Sequence, residues 1–153
     1  QNSFFNILKE RIFNRKVFLH HDGWLEVAIK IDSTILKNGG KEKLKHYREN
    51  SLPFSKISKS RLMYLEKTIS LLKNYGKVLL VRIPVDDRML VIENELDSIF
   101  NLRINSIAKK HKIPFLIYKD IGYVFPDANH LHRDSGKRFS KELAKDINKI
   151  VFQ

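Results

Sequence analysis

The chain has 153 residues, 29 Lys and Arg against 17 Asp and Glu, six His and no Cys, for a formal charge of +12. That length suits a single domain with a real hydrophobic core, and the apolar residues fall in blocks that can bury, which argues against disorder. Absence of cysteine excludes disulfides, thiolate–zinc sites and a Cys nucleophile, and no apolar run approaches the ~20 residues of a membrane span.

In chain order, Phe4, Phe5, Leu8 and Ile12 stand at helical spacing and predict a short amphipathic helix over 2–13. In KVFLHHDGWLEVAIKI, two apolar runs flank His20-His21-Asp22-Gly23. Asp-Gly between such runs signals a hairpin or a strand–turn–helix. Residues 38–58, with Gly39-Gly40, a charged KEKLKHYREN stretch and Pro53, read as a surface connection with about one helical turn. Ser58 or Ser60 can then cap a helix whose Leu62, Leu65, Ile69 and Leu72 share a face, and Gly76 ends it. KVLLVRI (77–83), closed by Pro84, has the continuous apolar pattern of a strand buried on both sides. An acidic loop with Asp86 and Asp87 follows, and residues 93–111 return to the helical period. IPFLIY (113–118) is a second strand, and a polar loop runs over 119–135. A last helix from about 136 to 151 carries Phe139, Leu143, Ile147 and Ile150.

Helix, strand, helix, strand, helix predicts an α/β fold with a mostly parallel sheet and crossover helices. A single domain over 1–153 is expected, with an irregular region over 1–57 ahead of an α/β core over 58–153. Two or three strands are few for this architecture, so the sheet is expected to be incomplete at the N-terminus.

In open α/β sheets, ligands bind beyond the carboxyl ends of the strands. Two loops qualify, Pro84–Ile92 and Lys119–Ser135. The second gathers Asp127, Asn129, His130, His132 and Asp134 within eight residues. A histidine with a carboxylate three residues away is the partnership of a general base: the carboxylate fixes the tautomer and stabilises the imidazolium. On spacing alone, a surface loop whose polar residues cap the next helix explains the same residues. Asn129, His132, Asp86 and Tyr123 are the candidates for substrate contact, with Trp24 a second aromatic if the ligand is a sugar. A metal site on His130, His132, Asp127 and Asp134 would need three or four converging ligands; neither a metal nor another cofactor is expected. The basic stretches KNGGKEKLKHYR, KISKSR and AKKHK carry few interleaved aromatics and no helix-turn-helix or zinc-finger pattern, so no specific nucleic acid is expected.

The stretch PDANHLHRDSGKRFSKELAKDI resembles the C-terminal block of the SGNH (GDSL-like) hydrolase superfamily. Asp127, His130 and Leu131 match its D-x-x-H-L motif, and Gly136, Phe139, Leu143 and Ala144 match the helix behind it. The resemblance covers roughly residues 58–151. It implies a flavodoxin-like three-layer α/β/α fold, with His130 as the base for a serine hydroxyl and Asp127 as the group that orients it. It further implies ester hydrolysis or acyl transfer, with an acylated glycan as substrate, and a bacterial cell envelope as one setting.

The family's Gly-Asp-Ser or Gly-Ser-Ser nucleophile segment is absent here, as are its oxyanion-hole blocks and the G-x-S-x-G elbow of other hydrolases. Loss of oxyanion donors alone costs about two to three orders of magnitude in turnover. As given, the chain is expected to be inactive, with the serine supplied by an upstream segment of the same protein. The alternative is a non-catalytic module that binds glycan or another polyanion, nucleic acid included. The compartment stays open.

Overall fold

The computed structural model describes residues 17–19, 21, 25–27, 38 and 40–152. The helix expected over 2–13 and Trp24 lie outside the described residues. Val17–Leu19 (β1) and Leu25–Val27 (β2) pair antiparallel, Val17 opposite Val27 and Leu19 opposite Leu25, which resolves the Asp-Gly signal as a hairpin. The charged stretch is more helical than expected. Lys41–His46 forms α1, followed without a break by a π turn over Tyr47–Ser51 and a 3-10 turn over Leu52–Phe54, where Pro53 needs no amide partner.

α2 spans Lys59–Leu72 and is capped by Ser58, whose hydroxyl accepts the Arg61 amide at 3.3 Å. Leu62, Leu65 and Ile69 form its inner face, whereas Leu72, expected with them, is about half exposed in the last turn. The apolar run that follows is a strand only over Leu80–Arg82 (β3). Two further corrections concern helices. Asp87–Leu96 is a helix, α3, where a loop was expected, because the Asp86 carboxylate accepts the Arg88 amide and so caps it. The helix expected over 93–111 is broken at Asp97, whose backbone is extended and whose carboxylate accepts the Ile99 amide; α4 therefore spans Phe100–His111. β4 is Phe115–Ile117, and α5 runs over Arg133–Phe152, three residues earlier than expected.

β3 and β4 pair parallel, Leu80 opposite Phe115 and Arg82 opposite Ile117, with α3 and α4 as the crossover between them. Side chains alternate across such a pair. Leu80 and Phe115 turn to one face and pack with Ile69 of α2 and Ile104 and Ile107 of α4. Val81 turns to the other and packs against a cluster of Tyr123 and Phe125, from the loop after β4, and Phe139 of α5, which Leu131 and Leu143 also cover. The result is an α/β fold with helices on both faces of a small parallel pair. Among the described residues no helix is long and apolar enough to cross a membrane.

Candidate active site

Because β3 and β4 are parallel, the segments leaving them, 83–86 and 118–132, emerge at the same edge. The Asp86 amide donates to the Ala128 carbonyl at 3.2 Å and joins the two. The second segment is braced from within and from α5. Asp120 accepts the amides of Gly122 and Tyr123, Ser135 Oγ accepts the Val124 amide at 2.8 Å, and the His132 amide donates to the Val124 carbonyl at 2.8 Å. Ala128 is fully buried and adopts φ 65°, a left-handed conformation that costs a residue with a β-carbon about 1–2 kcal/mol. The turn that imposes it is closed by Asp127, whose Oδ1 accepts the amides of Asn129 at 3.1 Å and His130 at 2.8 Å.

That turn leaves Asp127 Oδ2 facing the His130 ring, with Nδ1 at 2.7 Å. An ionised carboxylate only accepts, so the proton sits on Nδ1 and Nε2 is the basic nitrogen. The His130 side chain is 75% exposed, and no described residue hydrogen-bonds its Nε2. Lys43 of α1 donates to the same Oδ2 at 2.7 Å. Burial of the carboxylate opposes ionisation. The Lys43 ammonium, the His130 ring and the two backbone amides outweigh it and hold the Asp127 carboxyl well below the usual carboxylate range.

The other sequence candidates fare differently. Tyr123, expected as an aromatic for a ligand, is a core residue: it is 6% exposed, edge-to-face with Phe125 and Phe139, and its hydroxyl donates to Glu142 at 2.5 Å. Arg138 covers its ring at 4.3 Å. Asp86 is engaged by the Arg88 guanidinium through two hydrogen bonds of 2.8 Å, which hold its carboxyl below the ordinary value against its partial burial. Its lone pairs therefore serve the α3 cap rather than an open pocket. Asn129 sits half-buried within the turn itself. His132 faces the start of α5, where its Nδ1 is 3.9 Å from Asp134, and is not drawn to Asp127. Among the described residues no three His, Cys, Asp or Glu side chains converge as metal ligands.

Among the described serines, none is bonded to His130. Ser135 is buried on the Val124 amide, Ser58 and Ser60 pair with each other, and Ser55 donates to the Ser51 carbonyl. Lys43 and Gly40 are the site's unforeseen members. Gly40, at φ 82°, lies so close to the turn that a β-carbon on it would meet Ala128 Cβ at 2.7 Å. The Gly39-Gly40 pair hinted at a special backbone, but nothing set Lys43 apart from its neighbouring lysines. No family model matches the chain, and no curated protein or solved structure is significantly similar to it.

Proposed function

We propose that the chain carries the acid–base half of a Ser-His-Asp esterase or acyltransferase of the SGNH type, with His130 as base and Asp127 as its orienting carboxylate. The observation that carries this reading is the 2.7 Å bond from His130 Nδ1 to Asp127, with Nε2 turned outward at the carboxyl edge of two parallel strands. It is the arrangement in which an imidazole can take a proton from a hydroxyl and hold it through acyl transfer. An acylated glycan is the proposed substrate, on the resemblance of the Asp127–Leu131 block alone.

The finer fold assignment, a flavodoxin-like three-layer α/β/α domain, belongs to the same proposal. Two features support it: helices on both faces of the parallel pair, and an apolar groove of about 570 Å³ beside β3, lined by Leu65, Val81, Ile83, Phe100 and others, which further strands of a wider sheet would cover.

Among the described residues no serine hydroxyl is bonded to His130. With no Gly-Asp-Ser or Gly-Ser-Ser segment in its sequence, this chain is expected to hydrolyse p-nitrophenyl acetate negligibly, with no loss on His130→Ala. The decisive experiment uses the longest form of the protein that its gene encodes, treated with a fluorophosphonate probe and with acetylated oligosaccharides. Labelling of one serine and release of acetate, both abolished by His130→Ala, are the expected results. A form that is neither labelled nor active would overturn the proposal.

A second reading, binding of a polyanion without turnover, is favoured by one observation. Lys137, Lys141, Lys145 and Lys149 follow one another every four residues along the exposed side of α5, a line about 18 Å long at the helical rise of ~1.5 Å per residue. Binding to a polyanion that falls steeply between 50 and 200 mM salt, in the absence of any hydrolysis, would support it.

A further inference from the structure

Lys43 precedes Asp127 by 84 residues and belongs to a stretch with the composition of a solvated surface. Its side chain is nevertheless only 27% exposed, and its ammonium shares Asp127 Oδ2 with His130, each nitrogen 2.7 Å from that oxygen. The two nitrogens are thus at most twice that distance apart. The approach does not depend on the reach of a flexible side chain alone. α1 is preceded by its cap Gly40, which abuts Ala128 and the backbone of Asp127, and the Leu44 amide closes its first turn on the Gly40 carbonyl at 2.6 Å. Further along the same helical stretch, Arg48 reaches Glu95 of α3 at 2.9 Å. α1 is therefore tied to the turn at its start and, through the stretch that follows it, to α3.

We propose that Lys43 is a positioning residue of the Asp127–His130 pair: by occupying the oxygen that orients the imidazole, its ammonium offsets part of the carboxylate's charge and keeps His130 available as a base. A carboxylate acting alone on an imidazole strengthens its hold on a proton, whereas a cation on the same oxygen weakens it. Lys43 also fixes which way Oδ2 points, since the turn amides already occupy Oδ1. Charged groups on the adjoining described segments have contacts of their own. Asp86 is held by Arg88 on the adjoining segment, and His132 and Arg133 stand with Asp134 at the start of α5. Among the described residues, Lys43 is the cation bonded to the pair.

This inference rests on reading the pair as a working acid–base dyad, but its test requires neither nucleophile nor substrate. The ring nitrogens of His130 are followed by NMR as a function of pH in the folded chain. In Lys43→Met and Lys43→Gln, the midpoint of the His130 titration is expected to rise by about 1 pH unit, the effect of one unit charge at such a separation at a partly exposed site. Lys43→Arg is expected to restore most of the wild-type value. Lys45→Met removes an exposed cation from the same helix and is expected to shift the midpoint by no more than a few tenths. A shift in both neutral Lys43 variants no larger than that of Lys45→Met, with amide spectra still those of the folded chain, would overturn the proposal. Failure of the hydrolase reading would appear instead as absent labelling and absent acetate release, with this titration difference intact.

Discussion

The close approach of α1 to the turn can be tested on three glycines that differ in one respect at a time. Gly76 has open space around its Cα and no left-handed φ; Gly122 has φ 78° and open space; Gly40 has φ 82° and a neighbour. Gly76→Ala is expected to be neutral or to stabilise by up to ~1 kcal/mol, through the lower entropy of the unfolded chain. Gly122→Ala is expected to lose about 1–2 kcal/mol, the cost of a β-carbon in the left-handed region. Gly40→Ala bears that cost and a steric one, because the new carbon would lie 2.7 Å from Ala128 Cβ and 3.0 Å from the Ala128 nitrogen. Ala128 has no room to retreat: it is fully buried, itself left-handed, and its carbonyl holds the Asp86 amide. Overpacking of this kind costs about 1–3 kcal/mol, so the total expected is about 2–5 kcal/mol. Urea unfolding followed by far-ultraviolet circular dichroism measures all three on one scale. A Gly40→Ala variant no less stable than Gly122→Ala would refute the packing of α1 on the turn, and with it the mechanical basis for placing Lys43.

Three further substitutions probe the frame around the pair. Ser135→Ala is expected to cost about 1–3 kcal/mol in urea unfolding, because the Val124 amide loses its acceptor at a site that is 8% exposed. Phe139→Ala is expected to cost about 3–5 kcal/mol, since its ring is buried and meets Tyr118 at 5.1 Å and Tyr123 at 6.3 Å, both edge-to-face. Burial, and then the hydrogen bond to Asp146, push the Tyr118 hydroxyl up to about 12, against roughly 10 in the unfolded chain. The folded state thus holds that proton more tightly, so the contribution is complete below pH ~10 and is lost as the pH rises through about 12. Tyr118→Phe should flatten the alkaline fall of the urea midpoint over that interval; an unchanged fall would show that Tyr118 is not its source.

How far the sequence speaks depends on the range of the interaction. The helical period of Leu62, Leu65 and Ile69 and the continuous run 77–83 are local, and the elements they predict are present. The extent of β3 was not legible, because an apolar run marks burial but strand pairing depends on a partner, here only Leu80–Arg82 against Phe115–Ile117. The helix start at Asp86 and the break at Asp97 were not legible for a related reason: Asp starts and interrupts helices equally well, and which it does depends on the amide its carboxylate meets. Tyr123 shows a different limit. A tyrosine in a polar loop looks solvent-facing until Glu142, one helix away, supplies an acceptor that allows its hydroxyl to be buried. Asp127 and His130 were legible because their contact is made within one turn. Lys43 was not, since its partner lies far along the chain.

A sheet of two three-residue strands cannot by itself hold a side-chain pair in register, and here it does little more than bring two loop ends to the same edge. The positioning comes from hydrogen bonds outside the sheet: the Asp86 amide on Ala128, the Val124 amide on Ser135, the Asp127 carboxylate on its own turn, and Lys43 from α1. Each bond ends on the 124–130 segment and, apart from the turn's own, they come from three different helices or their caps, α1, α3 and α5. The only side-chain anchor of His130 among the described residues is the Asp127 carboxylate. The exposed Nε2 follows from the same construction. Among the described residues the imidazole is fixed through Nδ1 alone and its side chain is 75% exposed, so the hydroxyl of the proposed mechanism would meet His130 from solvent.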